Sequence, residues 1–277
     1  MSSIFDQMFS RYTINTRDDE LNAIHEIMQQ VTLAALYREN FFLEAAFYGG
    51  TCLRIFHGME RFSEDMDFSL LTEDPSFTLE TYFDAICKEF SSLGRKVEIT
   101  KKNKKHFTPI ESAFLKDNTE VYDVAFKTER TVKVKIEVDK TPPLKFDTEH
   151  RLLMLPFSFM TRCFTIPCLY AGKMHALLFR NWRNRVKGRD WYDFEWYVRN
   201  NHPLDFEHLK ERVAQTDTTD GKEFTKEHFV TLLKEKIQKT NIEMVKADVL
   251  PFIPDPNKLG IWSTEYFIQM ADMVRFK

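Results

Sequence analysis

The sequence predicts an α/β (α+β) protein in two parts: a mixed β-sheet with helices over residues 1–150 and a helical domain over residues 151–277. Three observations carry this. Residues 96–139 read as a run of strands, and the last of them alternates cleanly: Val132, Val134, Ile136 and Val138 face one way, Lys133, Lys135, Glu137 and Asp139 the other. From Pro167 onward, apolar residues recur at helical spacing. Twenty-six phenylalanines stand against eight glycines, a balance that favours a packed, largely helical chain over a turn-rich all-β one.

In chain order, Asp18 and Asp19 open a helix over 18–39, where acidic residues suit the positive end of the helix dipole. Leu21, Ile24, Ile27, Met28, Val31, Ala35 and Leu36 supply its apolar stripe. The run from Leu43 to Tyr48 is a candidate first strand, followed by a Gly49–Gly50–Thr51 turn and a short helix over 51–57. A strand is expected over 66–71. Asp74, Pro75 and Ser76 then turn the chain into a helix over about 77–93. Strands are expected at Lys96–Lys101, Ser112–Leu115, Val121–Lys127 and Thr131–Asp139. Pro142 and Pro143 open a loop, and the apolar segment 152–160 has no assigned state. Helices follow over 167–181, 189–200, 205–215, 225–239, 241–249 and 264–276.

A formal net charge of −3 excludes a uniformly basic nucleic-acid binder, though not a local basic face. Cys52, Cys87, Cys163 and Cys168 include no Cys-x-x-Cys pair, which argues for buried reduced thiols rather than zinc or a disulfide framework. The chain does not open on a charged segment followed by an apolar core, and no apolar stretch approaches the ~20 residues of a membrane span. The expectation is a cytoplasmic, soluble protein with no membrane partner.

The chemistry concentrates at residues 48–70. Asp65 and Asp67 occupy alternate positions of a strand, so their carboxylates project from one face. Two like charges that close repel unless a dication lies between them, and hard oxygen donors suit Mg²⁺ (or Mn²⁺), which completes its shell with water and phosphate. The glycine turn offers backbone N–H groups near a helix N-terminus, which is what phosphates bind. Thr51 can cap that helix or touch a phosphate. Nucleotidyltransferases of the polymerase-β type resemble this arrangement, with two carboxylates on one strand and a third from a neighbour. Glu137 and Asp139 are the candidates for the third, and Glu137 has the better apolar bracketing.

A second constellation lies in the helical half. Lys173 sits among apolar residues, where an ammonium needs an anionic partner, and a triphosphate is one. Asp190 and Asp193 share one side of the next helix. Two basic clusters could steer a nucleic acid: Lys101, Lys102, Lys104 and Lys105, and then Arg180, Arg183, Arg185, Lys187 and Arg189 with Trp182 and Trp191 interleaved.

Three strings carry a family resemblance: Phe-Tyr-Gly-Gly-Thr-Cys-Leu-Arg at 47–54, Arg-Phe-Ser-Glu-Asp-Met-Asp-Phe at 61–68, and Ala-Gly-Lys-Met-His-Ala-Leu-Leu-Phe-Arg at 171–180 with Lys-Gly-Arg-Asp-Trp-Tyr-Asp-Phe at 187–194. The chain resembles the AbiEii/AbiGii-type nucleotidyltransferase toxins of type IV toxin–antitoxin and abortive-infection systems. That resemblance implies a nucleotidyltransferase-type sheet whose active-site cleft the helical domain completes. It implies that Asp65 and Asp67 bind metal, that Gly50 and Thr51 contact phosphate beside Gly49, and that Lys173 contacts the nucleotide; it does not fix the third carboxylate, for which Glu137 stands ahead of Asp139. Asp190 or Asp193 would be the late acidic residue. Arg61 and Ser63 match the family string as nucleotide-site residues, but their own chemistry assigns them no role beyond bracing the loop. The implied activity moves NMP from an NTP onto an acceptor hydroxyl, on a tRNA 3′ end or a protein, in a toxin neutralised by a cognate antitoxin. The alternatives are a kinase-like phosphotransferase using Lys173 and Asp190, and a non-catalytic nucleotide-binding module.

Overall fold

The structure, a computed structural model, describes residues 3–101, 119–127, 131–180, 186–216 and 223–277. The strand expected at Ser112–Leu115, and Lys102, Lys104, Lys105, Trp182, Arg183 and Arg185, lie outside the described residues. The chain divides into two compact units. The first comprises Met1–Gly58, Phe62–Pro142 and Thr148–Cys163; the second comprises Met59–Arg61, Pro143–Asp147 and Phe164–Lys277. Against a division at residue 150, the strands after that point go with the first unit, and three residues around Glu60 go with the second.

The first unit contains α1 (Ile4–Phe9), α2 (Arg17–Arg38), β1 (Ala45–Tyr48), α3 (Gly49–His57), β2 (Asp65–Leu70), α4 (Phe83–Ser92), β3 (Val97–Lys101), β4 (Thr119–Lys127), β5 (Thr131–Asp139), β6 (Thr148–Leu153) and β7 (Phe159–Phe164). A seven-stranded sheet runs in the order β3-β4-β5-β2-β1-β7-β6. The pairs β3–β4 and β4–β5 are antiparallel. β5 then lies parallel to β2, which is antiparallel to β1, and β1 is parallel to β7. The sheet is therefore mixed, as expected. The segment 152–160 spans the end of β6, the loop 154–158 and the start of β7, so no single strand period runs through it; β6 lies at the edge of the sheet.

β2 is the middle strand. Met66 and Phe68 are buried on one of its faces, as are Ile136 and Val138 on β5. Phe41 meets Phe68 edge-on at 5.0 Å between centroids, and Phe47 approaches it at 5.1 Å. Such contacts add about 0.5–1.5 kcal/mol each beyond their burial. The apolar face is thus committed to the core, and the charged residues of β2 and β5 are left on the other side. α2 opens on a capping box between Thr16 and Asp19 and packs against α4 and β5. The helix expected at 77–93 is a 3₁₀ turn at Leu79–Tyr82 followed by α4.

The second unit contains α5 (Ile166–Phe179), α6 (Gly188–Arg199), β8 (Pro203–Leu204), α7 (Phe206–Gln215), α8 (Lys226–Lys239), α9 (Ile242–Val249), α10 (Thr264–Asp272) and β9 (Arg275–Phe276). Tyr170 of α5 stacks on Tyr197 of α6, with centroids 4.2 Å apart and planes 11° from parallel. A Cβ at Gly188 would lie 2.3 Å from the Val245 carbonyl oxygen, so only glycine lets α6 start against α9. The last helix stops at Asp272, short of the expected 276, because Arg275–Phe276 pairs in parallel with Pro203–Leu204. Among the described residues no helix is long and apolar enough to cross a membrane.

Candidate active site

In the first unit, β1 runs directly into α3, and Gly49 and Gly50 form the first turn of that helix rather than a turn ahead of it. Gly49 has a φ of +83°, and a Cβ there would lie 2.2 Å from Asp67 Oδ2. Glycine is required twice over: by the backbone, and by the closeness of the helix start to a carboxylate. Asp65 and Asp67 lie half-buried on one face of β2. On β5, Lys135 is the register partner of Asp65, and Glu137 that of Asp67. Four charged side chains therefore share one patch of sheet. Lys135 Nζ is ion-paired with Glu137. Burial works against the Lys135 ammonium, but Glu137, Asp65 and Asp67 outweigh it, and its pKa is raised.

The surroundings of this patch are braced from α2. Gln29, buried, donates from Nε2 to the carbonyls of Ser63 (2.9 Å) and Glu64 (3.1 Å), holding the loop that leads into β2. His25 Nε2 lies 2.8 Å from the Lys133 carbonyl of β5. Arg54 of α3 pairs with Glu26 at 2.8 Å.

In the second unit, Lys173 Nζ lies 2.7 Å from Asp190 Oδ1 and 2.8 Å from Asp193 Oδ2. Arg61 grips Asp193 with both prongs, Nε to Oδ1 at 2.5 Å and Nη2 to Oδ2 at 2.6 Å. Arg61, Asp190 and Asp193 are buried, while the Lys173 side chain is 15% exposed. Burial raises the Asp190 carboxyl, and Lys173, Arg180 and Lys187 more than reverse this, so its pKa is lowered. Asp193 is likewise lowered: Arg61 and Lys173 overcome its burial. Two cations and two anions thus balance inside one helical unit, which is what buried charges require.

The profile of the family described as nucleotidyl transferase AbiEii toxin, type IV TA system, matches residues 31–269. The chain belongs to that AbiEii family. It is a nucleotidyltransferase of the toxin type. Its fold is similar to that of MenT4, a nucleotidyltransferase toxin from Mycobacterium tuberculosis, with a TM-score of 0.60 and 16% identity over 96% of this chain and 87% of that one. It is similar also to JHP933 from Helicobacter pylori, with a TM-score of 0.53 and 16% identity over 91% and 90% of the two chains. Among curated protein sequences none matches.

Several site residues of this AbiEii chain stand otherwise than the sequence suggests. Thr51 neither caps α3 nor faces outward; it is buried, and its hydroxyl donates to the Asp65 carbonyl, tying the glycine helix to the carboxylate strand. Arg61, expected near the nucleotide, is 2% exposed and committed to Asp193. The anionic partner that Lys173 requires is supplied within the chain by Asp190 and Asp193. Ser63 contributes its carbonyl to Gln29. Gln29 and Lys135 carry no motif signal: one is a polar residue in a long, largely buried helix, the other one of several lysines on a polar strand face.

Asp65 and Asp67 offer hard oxygen donors beside a helix start kept clear by glycine, and this donor set fits Mg²⁺ or Mn²⁺. Among the described residues, the group of three possible ligands with donor atoms all within 4.8 Å is a different one: Asp147, Cys168 and Asp205 in the second unit. There the Lys277 ammonium already sits 2.5 Å from Asp147 and 3.1 Å from Asp205, and a thiol does not belong to a Mg²⁺ set. Glu137 does not close on Asp65 and Asp67 in the same way, because Lys135 engages it.

Proposed function

We propose that the protein is a Mg²⁺-dependent (or Mn²⁺-dependent) nucleotidyltransferase that moves NMP from an NTP to a hydroxyl on a tRNA 3′ end or a protein. The observation that carries this is the approach of the Gly49 helix start to Asp67, with Asp65 beside it on the same face of β2. The divalent ion, when bound, would neutralise phosphate charge as the bond order at the α-phosphorus changes. Asp65 and Asp67 would hold it. The N–H groups at the start of α3 would receive phosphate oxygens. Within the second unit, Lys173, held in position by Asp190 and Asp193, would be a nucleotide contact. Of these two, Asp190 is the better candidate for a direct role, since both oxygens of Asp193 are taken by Arg61. The acceptor oxygen forms the new bond to the α-phosphorus, the bond to the β-phosphate breaks, and pyrophosphate leaves with the electron pair.

Family membership further supports a cytoplasmic toxin held in check by a cognate antitoxin, in abortive infection. The test is incubation with Mg²⁺, total tRNA or lysate, and NTPs labelled at the α- or γ-phosphate. Label from the α-position on an acceptor, lost in D65A and D67A, is the expected result. Label from the γ-position alone replaces this reading with phosphoryl transfer, and no label in any fraction overturns both.

A further inference from the structure

The charged patch of the first unit holds a cation of its own. Lys135 is the register neighbour of Asp65, is ion-paired with Glu137, and feels the fields of Asp65 and Asp67. Its side chain is 23% exposed and that of Glu137 is 20% exposed, so this is a half-buried pair rather than a solvated one. We propose that the Lys135 ammonium stands where a second metal ion would otherwise sit. The site then takes a single divalent ion on Asp65 and Asp67, and Glu137 serves the ammonium instead of the metal. This inference rests on the reading of Asp65 and Asp67 as the metal pair.

Two arguments support it. The first is charge. Three carboxylates are neutralised by one divalent ion together with one ammonium. A second divalent ion would leave two positive charges in excess on a half-buried surface before any nucleotide arrives, and unbalanced charge is costly there. The second is ligand geometry. An ammonium is donor-only, and Glu137 Oε1 is turned to it, so that oxygen is shared with Lys135 rather than aimed at a metal alone. The strand register makes the pairing durable. Lys135 and Glu137 are alternate residues of β5 on one face, and Ile136 between them is buried in the core, so the backbone keeps both side chains on the face of the sheet that carries Asp65 and Asp67.

The test counts Mn²⁺ ions bound to the full-length, nucleotide-free chain, read from the loss of the free-ion electron paramagnetic resonance signal. Wild type is expected to bind one ion and D65N/D67N none. E137Q should still bind one, because Glu137 is not a ligand. K135M keeps the aliphatic stem and removes the charge; it should bind two ions, and K135M/E137Q should return to one. Two ions on wild type, falling to one in E137Q, overturn the proposal and leave the metal reading of Asp65 and Asp67 intact. An unchanged single ion in K135M also overturns it. No ion on wild type overturns both. Circular dichroism checks the fold of each variant, and if K135M does not fold, the comparison of E137Q with wild type decides alone.

Discussion

Both oxygens of the Asp193 carboxylate are held by Arg61, a residue 132 positions earlier in the chain. The pair is buried and bidentate, the arrangement that suits guanidinium and carboxylate best. Through it, Met59–Arg61 belong to the helical unit.

Arg61→Ala would remove the bidentate partner of the buried Asp193 and leave Lys173 as the cation against it. Removing one partner of a buried pair costs on the order of 3–5 kcal/mol. Chemical denaturation should show that loss, and D193N on top of R61A should recover part of it. Arg61→Lys should rescue only partly, since an ammonium cannot reproduce the fork. A fall below about 1 kcal/mol for R61A would show that the pair does not hold the unit together.

Acid should weaken the same network. The Asp190 and Asp193 carboxyls are held below the usual aspartate range by Lys173 and Arg61 against the opposing effect of burial. Fewer protons are therefore bound in the folded state than in the unfolded one. The stabilisation is complete above the unfolded aspartate pKa of about 3.9 and is lost as pH falls through the lower folded values. Urea titrations at stepwise lower pH should show stability declining below about pH 4, with a shallower decline in D193N.

Gly49→Ala places a methyl 2.2 Å from Asp67 Oδ2 on a backbone with φ at +83°. The left-handed backbone alone costs about 1–2 kcal/mol, and the clash must move Asp67 or the helix start. Activity should fall with D67A-like severity while the melting temperature drops by only a few degrees. Near-normal turnover in G49A would remove the close approach from the mechanism.

Gln29→Ala leaves the Ser63 and Glu64 carbonyls without their donor. The cost is about 1–3 kcal/mol. Because that loop leads into β2, turnover should also fall, while a substitution at exposed Lys133 on the neighbouring strand should leave turnover unchanged.

Much of this was legible in the residues. Alternation at 131–139 marks β5 because one face of a strand in the core must be apolar, and Asp65 with Asp67 marks β2 because alternate residues share a face. The helices after Pro167 follow from their spacing, give or take a turn at the ends. Thr51 was harder: a hydroxyl at a helix start can cap, bind or turn inward, and only the packing of α3 on β2 turns it onto the Asp65 carbonyl.

By itself, then, the sequence determined the mixed α/β and helical organisation and the Asp65–Asp67 pair, because each is a local pattern written within a few residues; it read Gly49 and Gly50 as a turn ahead of a helix, and the structure makes them that helix's first turn. Tertiary structure alone decided that β5 lies parallel to β2 with Lys135 beside Asp65, that Gln29 holds the loop before β2, and that Arg61 binds Asp193. These are pairings between residues far apart in the chain. No local periodicity encodes them, since they are set by which buried charge and which apolar face must find a partner once the chain is compact.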